Sequence, residues 1–155
     1  MVVRSAGILL YRRAADGLEV WIAHMGGPFW ARKQTQSWSV PKGEYLPDEE
    51  PLVAALREFA EEIGTPPPAV DYFELGVFRQ PSGKIITVFA TEADFQPGRI
   101  VSNTFTLEWP KGSGTIQDFP EVDDARWVTE TDARAKLVKG QLPILDALMD
   151  RLRVP

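Results

Sequence analysis

Apolar residues in this chain fall into short runs separated by turn residues, and one longer stretch has helical periodicity. The short runs are rich in β-branched and aromatic side chains, which favours strands. Clusters of glycine, proline and serine between most of them are typical of turns. The pattern predicts strands over residues 2–11, 18–24, 38–41, 72–78, 84–95, 104–109 and 125–128.

The helical patterns lie in the middle and at the end of the chain. The clearest helix covers residues 51–63, because Pro51 suits the first helical position and Gly64 suits the C-terminal cap. Two more helices are predicted over residues 130–138 and 142–152. Strands around one central helix, followed by a helical tail, indicate an α+β protein with a mixed sheet. A length of 155 residues predicts one domain over residues 1–155.

Charged and apolar residues separate onto different sides of the central helix. At about 100° per residue, Glu58, Glu61 and Glu62 fall on one side, at spacings that make them neighbours. The opposite side is apolar and is expected to face the core. Its residues are Leu52, Val53, Leu56, Phe59, Ala60 and Ile63.

Three neighbouring carboxylates repel one another, so the cluster needs a positive partner. Arg57 precedes Glu61 by four residues and can pair with it, but one guanidinium does not balance three carboxylates. A divalent cation does, and hard oxygen ligands suit Mg²⁺ or Mn²⁺. The alternative is a solvated acidic helix face, which is a common arrangement.

Composition narrows the possible functions. The net charge of -5 disfavours a duplex-DNA-binding protein, whose affinity comes largely from Lys and Arg. Residues 44–62 contain seven acidic side chains and one basic one, so the negative charge is concentrated near the helix. The absence of Cys excludes disulfides and thiolate sites. No stretch has the pattern of a membrane span or signal peptide, so a cytoplasmic location is expected.

The stretch containing this helix has a specific set of residues at fixed spacings: Gly43, Glu49, Arg57, Glu58, Phe59, Glu61, Glu62 and Gly64. These residues match a motif, the Nudix box, and on this basis the chain resembles the Nudix hydrolases. Residues 24–30, 38–44, 102–110 and 119–123 are similar to a bacterial subgroup of predicted Nudix pyrophosphohydrolases, so the resemblance covers nearly the whole chain. Glu50 and Thr65 depart from the usual box residues, but neither removes a metal ligand.

The resemblance implies a fold and an activity. The fold would be the Nudix α/β/α sandwich, in which the box forms a loop–helix–loop. The activity would be metal-dependent hydrolysis, within the pyrophosphate, of a nucleoside diphosphate linked to another group. By position, Glu58, Glu61 and Glu62 would bind Mg²⁺ or Mn²⁺, and the Gly43 carbonyl would add a backbone ligand.

Other residues are candidates with specific alternatives. By the same resemblance, Arg57 and Glu49 would orient the loop and helix through ion pairs. Glu121 would join the metal site or act as the base, unless it belongs to a solvated acidic run. Lys42 could bind substrate phosphate as a point charge, and so, with a weaker argument, could Arg32, Lys33 and Lys84. Each of these could instead be a simple surface residue.

The loop between the predicted strands 18–24 and 38–41 contains aromatic and basic residues. Its aromatic residues Phe29 and Trp30 suit a nucleotide or simply pack the loop. We therefore expect a small nucleoside polyphosphate as the substrate, with a dinucleoside polyphosphate favoured. Two alternatives remain open: hydrolysis of oxidised dNTPs, as in MutT-like enzymes, and a non-catalytic nucleotide sensor. The single histidine, His24, is expected to be structural, which leaves a carboxylate as the base. Neither duplex nucleic acid nor a membrane is expected as a partner, and the chain could be a monomer or a homodimer.

Overall fold

The computed structural model describes residues 2–153. Within these residues the chain forms nine strands, three α-helices and one 3₁₀ turn. The strands are β1 (Arg4–Ala14), β2 (Gly17–Met25), β3 (Trp38–Ser39), β4 (Lys42–Glu44), β5 (Phe73–Arg79), β6 (Ile85–Glu92), β7 (Thr104–Glu108), β8 (Ile116–Pro120) and β9 (Val122–Thr129). The helices are α1 (Pro51–Ile63), α2 (Glu130–Lys136) and α3 (Leu142–Leu152), and the 3₁₀ turn is Lys139–Gln141.

Seven strands form one mixed sheet in the order β3-β2-β1-β6-β5, with β4 added beside β1 and β9 beside β2. The pair β1–β6 is parallel and the other pairs are antiparallel. Strand β1 changes partner along its length: residues 5–7 pair with β4, whereas residues 10–14 pair with β2. The site described below lies where β1 makes this change.

The sheet is covered by helices on both faces, and β1 shows why. Its side chains alternate between the faces, as they do in any strand. Ile8 and Leu10 pack in the cluster under α1, whereas Leu9 and Tyr11 pack in the cluster under α2 and α3. The α+β class and the sandwich architecture expected from the sequence are therefore confirmed. No helix within residues 2–153 is long and apolar enough to cross a membrane.

Strands β7 and β8 form a separate antiparallel ribbon, and the sequence pattern missed β8. Residues 116–120 are largely exposed, so the strand lacks the buried apolar positions that would reveal it. Trp109 is only half-buried and packs edge-on against Phe29, with ring centroids 5.4 Å apart. This contact joins the ribbon to the loop between β2 and β3.

Helix α1 has the predicted bounds but a different buried face. Its buried residues are Ala54, Ala55, Phe59 and Ile63, whereas Val53 is 56% exposed. The face toward the sheet is thus rotated by roughly 70° from the expected apolar side. The two small alanines let the helix lie close to the sheet. Glu62 consequently faces the protein, where its carboxylate accepts from the N–H of Lys42, and this does not fit the alternative of a fully solvated acidic face.

The second helix is shorter than expected. It was predicted over residues 130–138 but ends at Lys136, because Leu137 is extended and forms a parallel bridge with Trp38. Trp38 itself is 1% exposed and lies in the core.

The start of α1 offers a test of local stability. Glu50 occupies the N-cap position but makes no side-chain capping hydrogen bond. We expect Glu50→Asp to raise the free energy of unfolding by about 1 kcal/mol, because Asp caps well and keeps the negative charge near the helix N-terminus. Urea unfolding of Glu50→Asp and of Glu50→Gln, which supplies no cap, checks this. Equal midpoints for the two variants would contradict the prediction.

Candidate active site

The candidate site begins where β4 meets the middle of α1. The backbone N–H of Lys42 donates to Oε1 of Glu62 over 3.1 Å, which joins the helix to the strand. Gly43 lies so close to Glu58 that a Cβ at position 43 would overlap its carboxylate. Glycine at this position therefore leaves room for the Glu58 carboxylate directly against the β4 backbone.

Arg57 connects the loop before α1 to the carboxylates. Its Nε and Nη2 each donate to one oxygen of Glu49 over 2.9 Å, and its Nη1 donates to Oε1 of Glu58 over 2.8 Å. The same Nη1 lies 3.3 Å from Oε1 of Glu61. Hydrogen bonding from Arg57 lowers the pKa of Glu49. The Arg57–Glu49 pair expected from the sequence is present, and one guanidinium orients three carboxylates.

Burial makes the carboxylates of Glu58 and Glu62 costly to ionise. Burial raises the pKa of Glu62 to about 7, with the Lys42 charge and backbone N–H acting in the opposite direction. Burial also raises the pKa of Glu58, although the hydrogen bond from Arg57 opposes it. Nearby negative charges also raise both pKa values: those of Glu61 and Glu121 act on Glu58, and those of Glu121 and Glu58 act on Glu62. A cation bound nearby would stabilise the ionised form of both groups.

Glu121 reaches the same region through backbone hydrogen bonds. The N–H of Asn103 donates to the carbonyl of Glu61 over 3.0 Å, and the N–H of Glu121 donates to the carbonyl of Asn103 over 2.8 Å. These bonds tie the β8–β9 corner to the last turn of α1. Burial is the main cause of the raised pKa of Glu58 and Glu62, and the negative charge of Glu121 adds to it.

A cleft of about 860 Å³ opens in front of these groups, which is a volume typical of ligand sites. Its acidic side chains include Glu58, Glu61, Glu62 and Glu121. Lys42 and Lys84 also line the cleft, and the Lys84 ammonium lies 3.6 Å from a Glu44 oxygen. Arg32 and Lys33, the other basic candidates, are exposed and lie outside the cleft lining.

The order of the strands gives this cleft two ends. On one side of β1 and β4, the β2–β3 loop contributes Trp30. The β5–β6 turn contributes Gln80 and Ser82 on the other side. The Nζ of Lys33 lies 5.2 Å from the Trp30 ring centroid, so this lysine covers part of the indole from outside the cleft.

Sequence reasoning missed some polar residues of the cleft wall, notably Gln141. It is 1% exposed, its Oε1 accepts from the N–H of Val40 over 2.9 Å, and its Nε2 donates to Oγ of Ser39 over 2.8 Å. A single glutamine before a helix gives no recognisable signal in the sequence. Only the packing of the 3₁₀ turn against β3 brings it to the cleft.

The donor set fits a hard divalent cation. Carboxylate oxygens are the ligands that Mg²⁺ and Mn²⁺ prefer, and a cation would stabilise the ionised forms of Glu58 and Glu62, whose pKa values burial raises. Among residues 2–153, no three His, Cys, Asp or Glu side chains already converge as a ligand cage. Arg57 instead engages oxygens of Glu58 and Glu61, so cation binding there requires these side chains to turn toward the cleft.

The chain is thus an α/β/α sandwich in which the carboxylates of α1 face a cleft of about 860 Å³. A family model described as NUDIX domain matches residues 1–148, and the chain belongs to this family.

Two curated relatives match short parts of the chain. It is 49% identical over 47 residues, or 30% of its length, to the RNA pyrophosphohydrolase of Hahella chejuensis (strain KCTC 2396). It is 36% identical over 62 residues, or 40% of its length, to a bis(5'-nucleosyl)-tetraphosphatase [asymmetrical] of Caenorhabditis elegans. The matched segments span 29% and 41% of those proteins' own lengths.

A solved structure supports the fold over the whole chain. The NUDIX domain of Shewanella oneidensis NrtR, complexed with ADP ribose, superposes with a TM-score of 0.67. The match covers 99% of this chain and 90% of that one, at 17% sequence identity. At this identity the similarity concerns the fold alone.

Proposed function

We propose that this chain is a Mg²⁺- or Mn²⁺-dependent pyrophosphohydrolase that cleaves a nucleoside diphosphate linked to another group. The observation that carries this proposal is the placement of Glu58, Glu61, Glu62 and Glu121 along one cleft that Lys42 also lines. A polyphosphate could bind between these groups only if cations bridge it to the carboxylates. The activities named for the two relatives support the same class of reaction.

The reaction breaks a phosphoanhydride P–O bond, and a water oxygen replaces the leaving phosphate oxygen on phosphorus. When bound, Mg²⁺ or Mn²⁺ would neutralise charge on the phosphate oxygens and lower the pKa of the attacking water. Lys42 and Lys84 supply further positive charge to the phosphate chain. The proton from water passes to a cleft carboxylate, because both ring nitrogens of His24 are engaged by other partners.

We favour a dinucleoside polyphosphate among the possible substrates. The cleft extends from Trp30 on one side of the carboxylates to Gln80 and Ser82 on the other. A substrate with a nucleoside at each end would use both ends, whereas a single nucleotide would use one. A tetraphosphatase name among the relatives supports this choice.

A panel of substrates tests the proposal. Purified protein with Mg²⁺ or Mn²⁺ would be given diadenosine tetraphosphate, ADP-ribose, ordinary and oxidised dNTPs, and a 5'-triphosphorylated RNA oligonucleotide, and the products would be resolved by mass. We expect the highest kcat/KM for diadenosine tetraphosphate. Tight binding of nucleotides without phosphate release would support the sensor alternative instead. If no member of the panel is hydrolysed, the proposed pyrophosphohydrolase activity is refuted.

Trp30 offers a prediction for the nucleoside end of the cleft. We expect Trp30→Ala to raise KM about tenfold while kcat changes by less than about threefold, because base stacking on an aromatic ring stabilises binding by about 1–3 kcal/mol. Trp30→Phe is the matched control, since it keeps an aromatic face and should retain most of the affinity. Steady-state kinetics with diadenosine tetraphosphate provide the measurement. An unchanged KM in Trp30→Ala would place the base elsewhere.

A further inference from the structure

A buried histidine joins two segments of the cleft wall that are distant in sequence. His24 lies at the end of β2 and is 3% exposed. Its Nδ1 lies 2.6 Å from Oδ1 of Asp123, and its Nε2 lies 2.7 Å from the carbonyl oxygen of Lys33. The Lys33 carbonyl can only accept, so Nε2 donates to it, and Nδ1 shares a hydrogen bond with the Asp123 carboxyl group.

A β-bulge aims Asp123 at this ring. In the β2–β9 pairing, His24 is opposite Asp124 and Met25 is opposite Val122, so Asp123 is the extra residue between them. Bulges commonly redirect a side chain next to a functional site. Here the redirected carboxylate lies two residues after Glu121, the acidic group of the β8–β9 corner.

The other partner of the histidine belongs to the loop that carries Trp30. The Lys33 carbonyl accepts from His24 and also from Oγ of Ser37 over 2.9 Å. Ser37 is fully buried, and its own carbonyl accepts from the N–H of Met25 over 3.0 Å. In addition to backbone hydrogen bonds, two side chains therefore hold the base of the loop through the Lys33 carbonyl, and only the His24 side chain also contacts Asp123.

We propose that His24 is a positioning residue, which holds the Trp30 loop and the Glu121 corner in fixed relation across the cleft. This inference rests on the proposed function, in which Trp30 contacts the nucleoside and Glu121 assists at the metal. His24 contacts neither substrate nor metal. Its two hydrogen bonds, together with the one from the N–H of Gly26 to the carbonyl of Glu121 over 2.9 Å, set how far apart the two functional segments lie.

Asp123→Ala is the principal test, because the Asp123 side chain is 36% exposed and its removal leaves the core intact. We expect KM for the nucleotide and the Mg²⁺ concentration for half-maximal activity each to rise about tenfold, since hydrogen bonds to charged groups are worth about that factor. The kcat at saturation should change by less than about threefold. His24→Asn should give the same two shifts.

Ser37→Ala is the matched control. It removes a hydrogen bond to the same Lys33 carbonyl but has no connection to Asp123. We expect it to raise KM for the nucleotide and to leave the Mg²⁺ requirement unchanged. The shifts of His24→Asn and Asp123→Ala should not add in the double variant, whereas those of Ser37→Ala and Asp123→Ala should add.

Amide hydrogen exchange provides a measurement that does not depend on activity. Asp123→Ala should accelerate exchange both in residues 26–37 and in residues 119–123, whereas Ser37→Ala should accelerate it only in the first segment. If Asp123→Ala leaves exchange, KM and the Mg²⁺ requirement unchanged, the inference is wrong. If the wild-type protein hydrolyses nothing but the exchange pattern appears, the proposed function fails and the linkage by His24 stands.

Discussion

Glu62→Gln should lower kcat by about 10³-fold or more, because it removes one negative oxygen ligand from the centre of the cleft. The amide oxygen of Gln can still accept from the N–H of Lys42, so the junction between β4 and α1 is preserved. The matched control is Glu50→Gln, which makes the same chemical change at an exposed position of the same loop and helix. Steady-state kinetics at saturating Mg²⁺ make the comparison. If Glu62→Gln keeps more than about a tenth of the wild-type kcat, the carboxylate does not have this role.

The same substitution should stabilise the protein in the absence of metal. The pKa of Glu62 rises from an ordinary value near 4.5 to about 7 on folding. The folded state thus holds the proton more tightly, and stability falls as pH rises between those two values. At pH 8, metal-free Glu62→Gln should therefore be more stable than wild type by on the order of 2 kcal/mol.

Adding Mg²⁺ should make the wild type more stable than Glu62→Gln. Metal that binds only the folded state raises the melting temperature of the wild type, and the Gln variant should gain much less. Thermal unfolding at pH 8 with and without Mg²⁺ shows both effects. A metal-free Gln variant that is less stable than wild type would mean that the buried carboxylate is already compensated in the fold.

The sequence predicted the helix and its acidic cluster, but not how the helix lies on the sheet. Pro51 and Gly64 act locally, so the ends of α1 are predictable from neighbouring residues. Hydrophobic periodicity counts Val53 as a core residue, because the pattern records polarity and not size. Close packing through Ala54 and Ala55 decides the orientation instead, and it moves Glu62 from solvent into the cleft wall.

Residues that reach the site from distant segments were harder to predict. Glu121 depends on hydrogen bonds that run through Asn103 to the end of α1. Sequence alone left a solvated acidic run as the alternative. Arg32 and Lys33 were candidates because they share a loop with Trp30, yet only Trp30 turns into the cleft. A loop's composition shows which chemistry is available, and only the packing of its base shows which side chains face the substrate.

Gly43→Ala should lower kcat by about 10²-fold with little loss of stability. The new Cβ would occupy the space of the Glu58 carboxylate, the mobile end of a flexible side chain that can rotate away. The backbone at Gly43 is not in the left-handed region, so alanine adds no backbone strain there. The fold therefore survives while Glu58 leaves β4 and its contact with Arg57, and a shift of about 1 Å in a catalytic geometry can cost about 10²-fold.

Gly98→Ala is the control for this substitution, because a Cβ at position 98 meets no atom within 4 Å. It should leave kcat and melting temperature unchanged. Since Gly43→Ala keeps the backbone carbonyl, its loss of activity reports on Glu58 and not on a backbone ligand. Combining Gly43→Ala with Glu58→Gln should then cost little more than Glu58→Gln alone, because both act on one carboxylate. Fully additive losses would show that Gly43 serves the reaction independently of Glu58.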